Sequence, residues 1–432
     1  KSKVTKLKSS QIKWNQLDLA SKISLIESGL DYFKTHSEEV CRDISEQMGR
    51  PLAQCQGEIN GMFERANYMC SIAESALAPD KLDGPDGFER AIEHTALGTI
   101  FVISAWNFPL LITINSIIPA LLAGNTVLLK HSGLTPKIGL HFEKAFKKLG
   151  EYDNLLLQTV LTHETTGKTI EETAIDHVVF TGSVRGGREI LKHTSQRFIN
   201  PVLELGGKDG AYIHHDVDIK STAESIVDGA MFNTGQSCCG IERVYVNESV
   251  YDEFITQSKN VISNYQLGDP KDSTTNMGPL AQAKSCDYLL EQIEDARKKG
   301  AWIETGGDKV TIGEGVFLAP TLITNVDHTM LVMQEENFGP ILPIMKVKNE
   351  DQAIDLINDS DYGLTCAVFT KNKSIARKIA DQAQTGTVFM NRCDYLDPAL
   401  PWSGTKNTGV GLSLSKYAFH SVTRKKSIHF KL

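Results

Sequence analysis

GTIFVISAWNFPLLITINSIIPALLAGNTVLLK, residues 98–130, is the stretch on which the fold turns. An apolar, β-branched run (TIFVIS) leads into a helix-length segment opened by Pro109, then a Gly124-Asn125 turn and a second apolar run (TVLLK). Proline suits the first position of a helix and Gly-Asn punctuates its end, so the stretch reads strand, helix, strand. Strands with continuous rather than alternating apolar character belong to a parallel sheet buried on both faces.

Downstream of this unit, a helix over 136–149, the strand LLLQTVL, a further helix and the strand HVVFTG continue the alternation and predict a doubly wound parallel sheet. Upstream, residues 10–78 carry apolar side chains at helical spacing, broken at Gly49-Arg50-Pro51. After ELGGKDG the alternation restarts with AYIHH, a helix over 217–232, RVYV and a helix over 250–265, then TLITNV, GPILPIMKV, CAVFT and TVFMN. A second α/β domain therefore begins near residue 207. With no repeat or long linker between the two, the active site is expected in a cleft they share.

Length and composition narrow the class. At 432 residues the chain calls for two or three domains, and 41% hydrophobic with 23% charged residues leaves no segment polar enough to stay unfolded. A formal charge of -8 argues against nucleic acid as a partner, because phosphate neutralisation needs clustered Lys and Arg. KSKVTKLK at the N-terminus is the basic cluster and reads as a solvated face. No apolar run approaches the ~20 residues that span a bilayer, so no membrane partner and a cytoplasmic location are expected. Cysteines at 41, 55, 70, 238, 239, 286, 366 and 393 form no CxxC pair and no Cys/His spacing suited to zinc. Free thiols and no metal follow. TTGKT at 165–169 ends like a P-loop, but Thr162 stands where that loop needs glycine.

In FNTGQSCCGIERVYV, Cys238 follows Gly235-Gln236-Ser237 between a helix and a strand, where a turn can present a thiol to a cleft. Thiolates attack carbonyl carbon, although a free cysteine is more often a small core hydrophobe. Asn107 ends the first strand of the opening stretch, where its amide can donate to a developing oxyanion; by itself an Asn before Phe-Pro is usually a turn former. Glu204 precedes two glycines, a flexible patch where a carboxylate can act as general base, and by itself it reads as a helix-end acid.

WNFP at 106–109, ELGGK at 204–208, GQSC at 235–238, EENFGP at 335–340 and PWSGTK at 401–406, in that order, resemble the aldehyde dehydrogenase superfamily over essentially the whole chain. The resemblance implies an α/β protein. A modified Rossmann domain lacking GxGxxG would cover 1–80 and 97–206, and a second α/β catalytic domain would cover 207–402. Residues 81–96 and 413–432 would form a small β oligomerisation extension. The implied activity is NAD(P)-dependent oxidation of an aldehyde to a carboxylic acid: Cys238 attacks, Asn107 and the Cys238 N–H stabilise the hemithioacetal oxyanion, and Glu204 activates the water that hydrolyses the thioester. On the cofactor side, the resemblance assigns Trp106 and the Gly182-Ser183 turn to phosphate and Lys130 to the adenine ribose. Gly206, Glu336 and Phe338 fall on the nicotinamide side, Glu336 holding the ribose hydroxyls. Phe108, Ile112, Asn115, Ser237, Cys239 and Trp402 are the expected substrate lining. Implied partners are a small-molecule aldehyde and further copies of the chain, as a homodimer or homotetramer. CoA-acylating or reductive relatives often lack the base that Glu204 supplies, and an inactive relative would usually lose the nucleophile.

The sequence departs from the family at several points. Gly133 replaces a glutamate that in many NAD-selective members bonds the adenine ribose and repels a 2'-phosphate, so tolerance of NADP is expected. Thr162 and His163 stand where the first of two glycines near the adenine is usual. PWSG replaces the commoner PFGG, narrowing the substrate mouth, and Arg392, Asp394 and Asp397 lie in the loop before it. Cys239 beside the nucleophile reads as a packing residue, with a resolving thiol as the sharper alternative. The chain also begins later than family members usually do, consistent with a short or truncated N-terminus.

Overall fold

The computed structural model describes residues 1–393 and 395–432, so Asp394 of the loop before the terminal motif lies outside the described residues. The opening stretch folds as read: strand Thr99–Ser104, helix Pro109–Leu122 and strand Thr126–His131, with every residue of both strands buried. Pro109 sits in the first turn of the helix, where no N–H is needed. Gly124 closes it with φ +90, a conformation that a Cβ makes costly. Behind it, Asn125 donates to the Ala120 and Val422 carbonyls and accepts from the Gly98 N–H, fixing the turn.

Five parallel strands order themselves in space as Leu156–Gln158, Thr126–His131, Thr99–Ser104, His177–Thr181 and Val202–Glu204, with Gly409–Val410 added antiparallel at the end. Chain order reverses between Thr99–Ser104 and His177–Thr181. In doubly wound sheets ligands bind at the carboxyl ends of strands at such a reversal. Trp106-Asn107 and Gly182-Ser183 follow those two strands directly.

A second sheet runs Trp302–Thr305, Thr321–Thr324, Ile341–Val347, Ile241–Asn247, Asp209–Ile213, Thr365–Phe369 and Thr387–Met390, parallel except for its first strand. The strands expected from AYIHH, RVYV, TLITNV, GPILPIMKV, CAVFT and TVFMN are all present. Asp80–Lys81, Phe88–Ala96 and Thr423–Lys431 make a separate antiparallel sheet in which the C-terminal strand pairs with the chain's own hairpin.

Some boundaries differ from the reading. The helix expected to reach 149 stops at Phe146, and LLLQTVL contributes only Leu156–Gln158. The helical lead-in begins at Ser2 rather than near residue 10, and KSKVTKLK presents the expected solvated face: Lys1, Lys3 and Lys6 are exposed, Val4 and Leu7 are buried beneath them, and Lys8 pairs with Asp176 at 3.1 Å. TTGKT lies inside the helix His163–Glu172, capped by Thr162, and forms no phosphate loop. Among the described residues no helix is long and apolar enough to cross a membrane.

Candidate active site

Helix Ile219–Met231 ends in a loop whose backbone runs through three successive positive φ angles, at Asn233 (54), Thr234 (60) and Gly235 (68), before Cys238 and the strand Ile241–Asn247. Such a run is unfavourable for residues with a Cβ and persists only where surroundings dictate it. They do here. Asn233 accepts from Arg50 Nε at 3.0 Å and donates to the carbonyls of Asn107 and Gln236, each at 3.1 Å. Thr234 donates to Gly278 at 3.0 Å, and Gln236 accepts from Ala281 N–H at 3.0 Å. At Gly235 a Cβ would fall 2.3 Å from the Gly339 carbonyl, so only glycine fits. The same contacts bring Asn107 to the loop that precedes Cys238. Arg50 also donates to the Asn107 carbonyl, leaving the Asn107 side-chain amide without a hydrogen bond to any described residue.

The Gly206-Gly207 pair gathers the remaining groups. A Cβ on Gly207 would sit 2.5 Å from the Cys238 carbonyl oxygen, and one on Gly206 would meet both Glu336 carboxylate oxygens at 2.5 Å. Glu336 accepts the Gly207 N–H at 3.0 Å. Glu204, at the end of strand Val202–Glu204, accepts from the Thr181 hydroxyl at 3.3 Å through Oε2, while its buried Oε1 has no partner. It is a strand-end acid, not a helix-end one. Burial pushes its pKa above the ordinary 4.5, against the Ser413 and Thr181 hydroxyls and the Arg65 charge. A carboxylate in that setting is a stronger base than a solvated one.

Two buried networks that the sequence reading missed hold this arrangement. Glu242 pairs with Lys208 at 3.0 Å and accepts the N–H groups of Asn337 and Phe338 at 2.8 and 2.9 Å, fixing the EENFGP loop. Burial lowers the Lys208 pKa to about 8 and, with the Glu242 charge nearby, raises that of Glu336 to about 8. Arg50 pairs with Glu58, whose other oxygen accepts the Leu110 N–H at 2.7 Å at the start of helix Pro109–Leu122, where the helix dipole favours an anion. These partners are far apart in sequence, and no local pattern announces them.

Of the residues expected on the cofactor side, Trp106, Lys130 and Gly182-Ser183 lie at the carboxyl ends of three neighbouring strands of the first sheet. Trp106 and Phe338 meet edge to face, ring centres 5.6 Å apart. Ser183 caps helix Val184–Ser195 by accepting the Gly186 N–H at 3.2 Å. The Gly182 N–H is already given to the Glu204 carbonyl at 3.0 Å, so a phosphate here would meet Ser183 and the following amides rather than Gly182. Lys130 is buried at the end of its strand, its ammonium bonded to no described residue, and burial lowers its pKa. A Cβ on Gly133 would meet nothing within 4 Å. An uncommitted ammonium, a helix N-terminus and a carboxylate beside glycine backbone are the donors and acceptors that a dinucleotide's phosphates and ribose hydroxyls require.

Cys238, Glu204 and all six residues expected to face substrate, Phe108, Ile112, Asn115, Ser237, Cys239 and Trp402, line one cavity of about 550 Å³. Asn107 is buried beside it, not among its lining. Asn115 is buried, not a surface residue, and accepts from Arg65 Nη1 at 3.2 Å. Cys239 is 3% exposed and clusters with Leu364, Trp402 and Leu414, the packing role expected of it.

Doubly wound and mixed parallel sheets meeting at a cleft with a thiol on its wall are the architecture of an α/β oxidoreductase. The aldehyde dehydrogenase family model matches residues 2–428, and the chain belongs to that family of NAD(P)-dependent enzymes. It is 32% identical over 419 residues to a succinate-semialdehyde dehydrogenase [NADP(+)] of Deinococcus radiodurans, covering 96% of this chain and 87% of that protein. It is 33% identical over 422 residues to human retinaldehyde dehydrogenase 3, covering 97% and 82%. Among solved structures, a succinic semialdehyde dehydrogenase of Streptococcus pyogenes in complex with NADP+ superposes with a TM-score of 0.95 at 27% identity, covering 100% of this chain and 94% of that one. An NAD-dependent aldehyde dehydrogenase of Sinorhizobium meliloti gives 0.96 at 26%, covering 100% and 86%.

Proposed function

We propose that the chain oxidises an aldehyde to a carboxylic acid with Cys238 as nucleophile and Glu204 as general base. The observation that carries this reading is that Cys238 and Glu204 line the same cavity, with Glu204 Oε1 buried and accepting no hydrogen bond from any described residue. The Cys238 thiolate adds to the aldehyde carbon, forming a C–S bond while the carbonyl oxygen takes up negative charge. The Cys238 N–H and the uncommitted Asn107 amide donate to that oxygen. A bound nicotinamide supplies the hydride acceptor, and loss of hydride from the carbon on Sγ leaves a thioester. Glu204 takes a proton from water, whose oxygen attacks the thioester carbon; the C–S bond breaks, releasing the acid and regenerating the thiolate.

Trp106, Lys130, Ser183, Gly206, Glu336 and Phe338 would hold the cofactor, and the open space at Gly133 supports use of NADP as well as NAD. The unpaired outer edge of the terminal strand Thr423–Lys431 supports assembly with further copies of the chain. The division of the chain near residue 206 into cofactor and catalytic domains belongs to the same reading.

The test is Glu204→Gln. A stoichiometric burst of reduced cofactor followed by stalled turnover is expected, and unchanged steady-state turnover would remove Glu204 from its role. An acyl group passed to CoA faster than to water would favour the acyl-transfer alternative.

A further inference from the structure

The two other buried arginines among the described residues are fully partnered. Arg50 commits Nε, Nη1 and Nη2 to Asn233, Glu58 and the Asn107 carbonyl, and Arg243 directs the same three atoms to backbone carbonyls. Arg65 is different. It projects from helix Leu52–Leu77 into the cavity that Cys238 and Glu204 line, is 9% exposed, and makes a single hydrogen bond, to the neutral Asn115 amide. Nε and Nη2 bond to no described residue, and no described carboxylate forms a salt bridge with it. Burying a cation without an anion is costly, and burial lowers the Arg65 pKa, with the Cys239 thiol and the Glu58, Glu204 and Glu64 carboxylates acting the other way from beyond contact distance.

The walls around it say what would relieve that cost. Phe108, Leu111, Ile112, Phe232 and Trp402 give an apolar surface suited to methylene groups. A guanidinium with two free N–H directions matches a carboxylate in bidentate fashion. Glu64 and Asp228 also border the cavity; Glu64 is exposed, where solvent and salt screen it, and burial raises the Asp228 pKa, which favours its neutral form.

We propose that Arg65 anchors the anionic tail of the substrate, making this enzyme selective for short aldehydes that end in a carboxylate. The spacer is short because Arg65, Cys238 and Glu204 line one cavity of about 550 Å³. Asn115 positions the guanidinium without touching the tail. The assignment rests on Cys238 and Glu204 being the reacting pair.

The experiment compares kcat/KM for 4-oxobutanoate and for butanal, with NAD and with NADP, in the wild-type enzyme, Arg65→Leu and Arg65→Lys. Wild type should favour the oxo-acid by about 100-fold. That ratio should fall toward unity in Arg65→Leu and recover partly in Arg65→Lys, which restores charge without the bidentate fork. A wild-type ratio near unity, or an unchanged ratio in Arg65→Leu, overturns the anchor. Should Arg65→Leu fail to fold, inhibition of wild-type butanal oxidation decides: succinate should compete far better than succinamide, and equal inhibition overturns the proposal. Butanal oxidised without preference removes the anchor alone; oxidation of neither aldehyde removes the reading of Cys238 and Glu204 as well.

Discussion

The loop before Cys238 and the turn at Lys130–Gly133 are built in opposite ways. Around Asn233, Thr234 and Gly235, hydrogen bonds arrive from residues 50, 278 and 281, and the Gly339 backbone leaves no room for a single added carbon. At Gly133 nothing lies within 4 Å of where a side chain would begin, and φ is not positive. The loop that carries the proposed nucleophile is over-determined, while the position proposed to bear on cofactor choice is left open to substitution. Reaction geometry tolerates little error, whereas specificity for one cofactor can change through one added charge.

Four substitutions or measurements press on this contrast. The largest effect is expected at Asn107→Ala, which removes an oxyanion donor worth roughly 3 to 4 kcal/mol; kcat should fall at least a hundredfold, with cofactor binding by fluorescence titration unchanged. Next, Gly235→Ala should lower stability by about 2 kcal/mol or more, read from denaturant midpoints, because it adds both a positive-φ penalty and a backbone clash. A stable, fully active Gly235→Ala protein would break the claim that the loop is over-determined. Gly133→Glu should leave the melting temperature within about 1 °C, as a surface change does, while shifting the kcat/KM ratio about tenfold from NADP toward NAD. An unaltered ratio would remove Gly133 from cofactor choice. The smallest effect concerns pH. Because burial raises the Glu204 pKa, its basic form is lost earlier on acidification, so single-turnover thioester hydrolysis should fall with a midpoint above 4.5. A midpoint at or below 4.5 would place the base elsewhere.

The sequence made plain what rests on local periodicity and on residue chemistry. The βαβ unit at 98–130 showed its strand-helix-strand pattern directly, and Cys238, Asn107 and Glu204 stood out by type once read together. Arg50, Glu58, Lys208 and Glu242 did not, because each looks like an ordinary charged residue in a helix or strand and acquires its role through a partner brought near by the fold. Arg65 was hidden for the same reason, on a helix whose charged positions read as solvent-facing. The edge strand Trp302–Thr305 and the strand Lys309–Ile312 were passed over since they are short and largely outward-facing, and Gly315–Leu318, though Phe317 and Leu318 are buried, is too short at four residues to show a periodicity.

The left-handed run before Cys238 has a bearing on how the enzyme comes to exist. Asn233 and Gly235 accept that backbone but Thr234 does not, and its supports reach in from chain segments separated by up to 183 positions. The loop has no independent stability, so it takes shape late, once both large sheets have formed and closed on each other. Newly made chains should therefore gain cofactor binding before catalytic competence. A refolding time course that follows fluorescence of bound cofactor beside recovery of activity would detect the lag, and simultaneous recovery of the two would show that the loop forms early.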